Sequence, residues 1–151
     1  MTGDRGSRPG RAIGVDLGAR RIGIAVSDSA GTLATPRGTL VRTGDPARDR
    51  RALVDLVVEE EAVVVVVGHP LSLDGTRGPA ARAAESEAEA LGVLLVGHGV
   101  AVELFDERLT TVSAHQALTA GGTKGRNQRA VVDQTAAAML LMAWLDGRRP
   151  S

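Results

Sequence analysis

The sequence predicts one α/β domain built on a mixed five-stranded sheet with helices on both faces. Three observations carry this. Two β-branched runs near the start are edged by glycines; an apolar run in mid-chain is hydrophobic on both faces; and helical periodicities alternate with strands through the remainder. A chain of 151 residues, 43% of them hydrophobic, is the size of one domain with a real core.

The elements follow in order. "RAIGVDLG" and "RIGIAVSD" are separated by a short turn and read as a hairpin, and "TLATPRGTLVR" adds a third strand to make an antiparallel meander. "GDPARDRRALVDLVVEEEA" reads as a helix, with Asp45 as N-cap, Pro46 at the first helical position, and Leu53, Leu56 and Val57 on one apolar face. "VVVVVGHP" has the doubly apolar character of a central parallel strand. "GPAARAAESEAEALG" is expected as a helix opened by Pro79 and closed by Gly92. "VAVELF" is the next strand, "TVSAHQALTAGG" a short helix and "NQRAVVDQTAAAMLLMAWL" a longer one. The order β-β-β-α-β-α-β-α-α, joined by right-handed crossovers, builds the sheet. Residues 1–10 and 147–151 are expected to be flexible tails around a domain spanning 11–146.

Composition narrows the function classes. There is no cysteine, so disulfides and thiolate metal sites are excluded and a reducing, cytoplasmic location is expected. No run approaches the ~20 apolar residues of a membrane helix, and no partnership with a membrane is expected. The formal net charge is zero, which argues against nucleic-acid binding by bulk electrostatics alone. The charges are unevenly placed: "ESEAE" carries only acids, whereas "GGTKGRNQRA" carries Lys124, Arg126 and Arg129 and no acid.

Carboxylates in apolar settings point to the chemistry. Asp16 interrupts the alternation of the first strand, where an unpaired carboxylate costs several kcal/mol to desolvate, so it needs a cation or a donor. "DERLTT", residues 106–111, follows a strand at the sheet edge where crossovers begin and ligand sites gather. Asp106 and Glu107 are adjacent, so if the strand continues through them at most one shares a site with Asp16. Asp133 lies on the stripe Asp133, Ala136, Ala137, Leu140, Trp144 of the last helix, and the neighbouring alanines allow close approach to the sheet. Three inward carboxylates repel unless neutralised; hard divalent cations with oxygen ligands, Mg²⁺ or Mn²⁺, are the natural solution, and metal-assisted phosphodiester hydrolysis is the chemistry they imply. The alternative is three separate structural ion pairs with Arg20, Arg108 or Arg129.

"GVDLGARRIGIAVSD", "VVGHPLSLDG", "DERLTT" with "SAHQAL", and "VVDQTAAAMLL" stand in the order and approximate spacing of the YqgF/RuvX family, and the resemblance covers about residues 11 to 146. The resemblance implies a ribonuclease H-like fold and a nuclease that processes the 5′ end of precursor 16S ribosomal RNA; many members carry an older label as Holliday-junction resolvases. It places the acidic site, and with it the metal, on Asp16, Glu107 rather than Asp106, and Asp133. Arg21, Arg108, Thr110, Lys124, Arg126 and Arg129 become candidate contacts to the substrate backbone; Thr110 and Thr111 also suit helix N-capping. His69 replaces a residue that is usually apolar in the family, either as a tolerated substitution or to help orient a water; His98 and His115 take no role.

The expected partners are therefore nucleic acid, as precursor ribosomal RNA or alternatively branched DNA, with ribosomal precursor particles, and the chain acts as a monomer or homodimer. Phe105 and Trp144, the two aromatic residues, fall on expected core faces, leaving none to stack bases and favouring RNA trimming over junction opening. "DLGARRIGIAVSD" also resembles the first phosphate hairpin of actin-like ATPases, but those enclose a nucleotide between two such domains; ATP binding, or a non-catalytic nucleic-acid-binding module, is the minor alternative.

Overall fold

The computed structural model of the protein describes residues 10–110 and 125–148, and within 125–134 the backbone alone. Strands β1 (Arg11–Leu17), β2 (Arg21–Ser27), β3 (Ala34–Val41), β4 (Ala62–His69) and β5 (Ala101–Asp106) form one sheet in the order β3-β2-β1-β4-β5. β1 pairs antiparallel with β2, and β2 with β3, while β1–β4 and β4–β5 are parallel. The mixed sheet expected from the sequence is thus present, with β4 at its centre; Val65, Val66 and Val67 are essentially inaccessible to solvent, as suits a strand covered on both faces.

Helix α1 (Pro46–Glu59) starts as its sequence predicts: the Asp45 carboxylate accepts from the Ala47 and Arg48 amides, with Pro46 in the first turn. Its buried Leu53 and Val57 share one core with Ile13, Val15, Ile22, Ile24, Val65 and Val67 of the sheet and with Ala84, Ala88 and Leu91 of α2 (Pro79–Leu95). Helix α3 (Gly125–Arg148) covers the opposite face, where Ala137, Leu141, Trp144 and Leu145 meet Ala12, Ala25 and Val66. Each fully buried aliphatic side chain in these two layers stabilises the fold by roughly 1.5–3 kcal/mol.

Two element ends differ from expectation. Gly92 does not stop α2, which runs on to Leu95 and a 3₁₀ turn at Val96–His98, ending at Gly99 in the left-handed region (φ 72°). Leu95 continues the buried stripe of Ala81, Ala84, Ala88 and Leu91 and is fully buried, which outweighs the roughly 1 kcal/mol cost of an interior glycine. Helix α3 reaches Arg148, two residues into the expected tail, because Arg148 lies 4.4 Å from the centre of the Trp144 ring and near Glu103. The tails at 1–9 and 149–151 and the helix expected over "TVSAHQALTAGG" fall outside the described residues.

Helix and sheet approach closely at Gly14. A Cβ there would lie 2.9 Å from the Ala137 carbonyl oxygen and 2.9 Å from the Leu141 Cβ, so β1 and α3 touch backbone to backbone. Leu145 meets Gly31 beyond the far end of β2, and Met142 accepts from the Ala34 amide, so α3 runs with its N-terminal half toward the carboxyl ends of the parallel strands. Gly14→Val should lower stability by about 1–3 kcal/mol through overpacking, read as a fall in melting temperature of roughly 2–4 °C per kcal/mol; an unchanged melting temperature would show that α3 does not sit against β1.

Candidate active site

The parallel strands bring the carboxylates to one edge. In the β1–β4 register Val15 faces Val67, which sets Asp16 level with Gly68; in β4–β5, Gly68 faces Phe105 and His69 faces Asp106. Side chains alternate along each strand. Asp16 therefore points to the α3 side, as Gly14 does, and His69 and Asp106 point to the α1/α2 side.

Glu107 begins a 3₁₀ turn, Glu107–Leu109, immediately after β5. Its side chain folds back across Gly68: a Cβ at that glycine would lie 2.6 Å from Glu107 Oε2. Gly68 thereby supplies the space that lets Glu107 reach Asp16. Burial, then the Asp16 charge, push the Glu107 carboxyl up to about 7; Asp106 adds to this, and His69 opposes it. The turn thus gives the two adjacent acids different surroundings. Glu107 joins Asp16, whereas Asp106 caps the turn, accepting from the Arg108 amide at 2.9 Å.

Arg108 is bound to that cap. Its guanidinium donates to both Asp106 oxygens at 2.6–3.0 Å and to the Leu73 carbonyl at 3.3 Å, and the pair holds the Asp106 carboxyl below its usual range. Thr110 closes the turn, its hydroxyl donating to the Glu107 carbonyl at 2.8 Å. Arg108, one of the partners considered for a structural ion pair, is thus taken by Asp106.

His69 lies on the other side of the sheet edge. Its Nε2 is 2.7 Å from Glu85 Oε2 on α2, and Arg77 makes a two-pronged pair with the same carboxylate at 2.6 and 2.8 Å. The Arg77 hydrogen bond first, then that to His69, lower the Glu85 carboxyl to about 2. His69 thus ties β4 to α2 rather than lying beside Asp16. Arg21 opens β2 opposite Val41 and is half-buried. The hairpin before it closes through the Gly18 amide on the Arg21 carbonyl at 2.9 Å, and a Cβ at Gly18 would stand 2.5 Å from that oxygen, so only glycine permits the closure. Arg42 donates to the Gly18 carbonyl at 2.7 Å and braces the turn.

Asp133 lies in the helical backbone of α3, one turn before Ala137, on the segment that runs toward the carboxylate edge. Its side chain, and those of Arg126 and Arg129, fall outside the described residues, as do Lys124, Thr111 and His115 altogether. Sequence reasoning missed Gly68 and Gly18. A glycine interrupting a buried strand, or ending one before a two-residue loop, was the available signal of close approach.

A twisted mixed sheet of this order, with acids converging where parallel strands end, defines the class as ribonuclease H-like. The structure of RuvC from Thermus thermophilus superimposes with a TM-score of 0.55 over 91% of this chain and 95% of that one at 14% identity, a likeness of fold. Residues 10–147 match the RuvX family, described as Holliday junction resolvase, and the chain belongs to that family. A relative from Mycobacterium sp. strain KMS is 49% identical over 140 residues, 93% of this chain and 82% of its own length. One from Anaeromyxobacter dehalogenans is 46% identical over 93% of this chain and 99% of its own. Both carry the provisional name of a pre-16S rRNA nuclease.

Two predictions follow from this geometry. Because the Glu107 carboxyl is raised in the folded state, the native protein binds more protons than the unfolded chain between about pH 4.5 and 7, so stability without divalent ions should fall as pH rises through that window. Glu107→Gln should flatten the dependence in thermal melts from pH 5 to 8; an equally steep fall in the variant would remove Glu107 as its source. Gly68→Ala meets only the flexible end of Glu107, so the melting temperature should change little while the carboxylate is displaced. Calorimetric titration with Mn²⁺ should then show affinity weakened by at least about tenfold, and undiminished affinity would separate Gly68 from the site.

Proposed function

We propose that this protein is a nuclease that hydrolyses phosphodiester bonds, with Asp16, Glu107 and Asp133 as its acidic centre, and that it trims the 5′ end of precursor 16S ribosomal RNA in the cytoplasm, on ribosomal precursor particles. The observation that carries the reading is the convergence of Asp16 and Glu107 over Gly68, close enough for one charge to raise the other's pKa. A fold under no functional demand gains nothing from holding two carboxylates in that proximity. The names of the relatives support the RNA substrate.

The donors are carboxylate oxygens, which suits Mg²⁺ or Mn²⁺ and not a soft metal. Among the described residues no three His, Cys, Asp or Glu side chains converge on a metal position, and the third acid of this reading, Asp133, has its side chain outside them. A divalent ion held here would offset the repulsion between the carboxylates and polarise a phosphate for attack by water. The chain's own part is to orient the ligands: Gly68 leaves room for Glu107, the Asp106-capped turn sets its direction, and the Gly14 contact brings α3 down toward Asp16. Arg21, Thr110, Lys124, Arg126 and Arg129 hold the flanking phosphates in this reading, whereas Arg108, expected among them, is engaged by Asp106.

Trp144 is buried and Phe105 packs against the same core, so among the described residues no aromatic ring is presented for stacking. That favours recognition through backbone and shape over prying open a junction. The family's description supports junction cleavage as the second reading; it requires paired symmetric cuts by two copies of the site.

Asp16→Asn should reduce metal-dependent cleavage of a precursor 16S 5′ fragment by about 10³-fold, equivalent to about 4 kcal/mol of lost transition-state stabilisation, with the circular dichroism spectrum and melting transition retained. Cleavage by the folded variant at the wild-type rate would falsify the acidic centre. Symmetric nicking of a synthetic four-way junction, with the RNA left intact, would reverse the order of the two substrate readings.

A further inference from the structure

The arginines differ in whether an acid holds them, and paired ones occur at both edges of the sheet. Away from the carboxylate edge, Arg11 and Arg37 are both paired with Glu60 at 2.8 Å, and Arg148 lies 3.8 Å from Glu103. At the carboxylate edge, Arg77 and Arg108 are paired with Glu85 and Asp106. Arg20 on the β1–β2 turn, Arg48 in the first turn of α1 and Arg82 in the first turn of α2 are exposed and make no side-chain hydrogen bond or ion pair among the described residues. The acids nearest them in the chain are already engaged: Asp45 caps α1, and Asp49 accepts from the Thr43 amide and hydroxyl at 3.1 and 2.8 Å.

Topology places these three cations together. The turn after β1 and the starts of the crossover helices after β3 and β4 all lie at the edge where the parallel strands end, and α1 and α2 share the face opposite α3. Two helix N-termini open on the same edge, and their dipoles add to the positive potential. The carboxylates, however, sit on the α3 side. Unpaired guanidinium groups therefore occupy the reverse side of the edge that carries the acidic centre, where neutral overall charge would not have suggested them.

We infer that Arg20, Arg48 and Arg82 form a phosphate track that carries the single-stranded flank of the substrate from the acidic centre over the strand ends onto the α1/α2 face. The inference rests on the nuclease reading and adds to it the path of the strand. The track gives the neutral protein a local electrostatic grip, selects an extended strand long enough to cross the edge, and requires no base stacking. His69, bound to Glu85 beneath it, holds the start of β4's following loop to α2 and so fixes the spacing between the edge and Arg82.

The test measures binding of single-stranded RNAs of about 4 and about 16 nucleotides by fluorescence anisotropy over a salt series in EDTA, for wild type, the combined Arg20→Gln/Arg48→Gln/Arg82→Gln variant and Arg37→Gln. Each lost phosphate contact to a single strand lowers the slope of log K against log salt by about 0.7, so the triple variant should lose about 2 from its slope on the longer RNA. It should lose little on the shorter one, and Arg37→Gln should keep the wild-type slope. Surface substitutions of this kind usually leave stability nearly unchanged, and the single variants, each expected to lose about 0.7 from the slope, repeat the test with less perturbation. An unchanged slope in the triple variant, or an equal loss in Arg37→Gln, overturns the track. Wild type that binds with the expected slope yet cleaves no RNA with Mg²⁺ or Mn²⁺ would sink the nuclease reading while leaving the track standing; wild type that cleaves while the triple variant keeps its slope does the reverse.

Discussion

The repulsion between Asp16 and Glu107 is the constraint around which the described structure is arranged. Two carboxylates in a partly desolvated setting separate if they can, and here the chain prevents it. Asp16 is anchored in a strand hydrogen-bonded on both sides, and Glu107 is held by a turn that Asp106 caps and Thr110 closes. The missing side chain at Gly68 is what makes the arrangement sterically possible. The protein thus holds a Glu107 carboxyl raised to about 7 beside Asp16, with both carboxylates fixed in place by the surrounding backbone.

The same edge shows how neighbouring residues of like chemistry are given different tasks. Asp106 and Glu107 are adjacent acids, yet one is neutralised by a bidentate arginine and the other is left beside a second negative charge. The sheet's pleat separates them to opposite faces, and Arg108, on the turn, follows Asp106. His69 obeys the same rule: one residue beyond Gly68, it points away from the acids and joins the Arg77–Glu85 pair on α2. The edge thus has an acidic side under α3 and a cationic side at the starts of α1 and α2.

Backbone proximity, more than side-chain packing, sets the position of α3. Gly14 and Ala137 allow strand and helix to meet at van der Waals distance, and the contact is flanked by Ala138 and Leu141 in the second core. Any side chain at Gly14 would lift the helix and, with it, the segment that carries Asp133. Stability and the site's geometry therefore share one contact.

Much of this architecture was legible in the residues alone. The alternation in "AIGVDLG", the doubly apolar "VVVVV" run and the Asp45–Pro46 cap are local signals, because strand pleat, burial on two faces and helix capping depend on near neighbours in the chain. The motif order was enough to point to the family. The extension of α2 past Gly92 was not legible, because it depends on where Leu95 lands in a core assembled from distant strands. Nor was the space above Gly68, or the gathering of Arg20, Arg48 and Arg82 at the edge where the parallel strands end. Each depends on how strands far apart in sequence are aligned, and that alignment exists only when the sheet has formed.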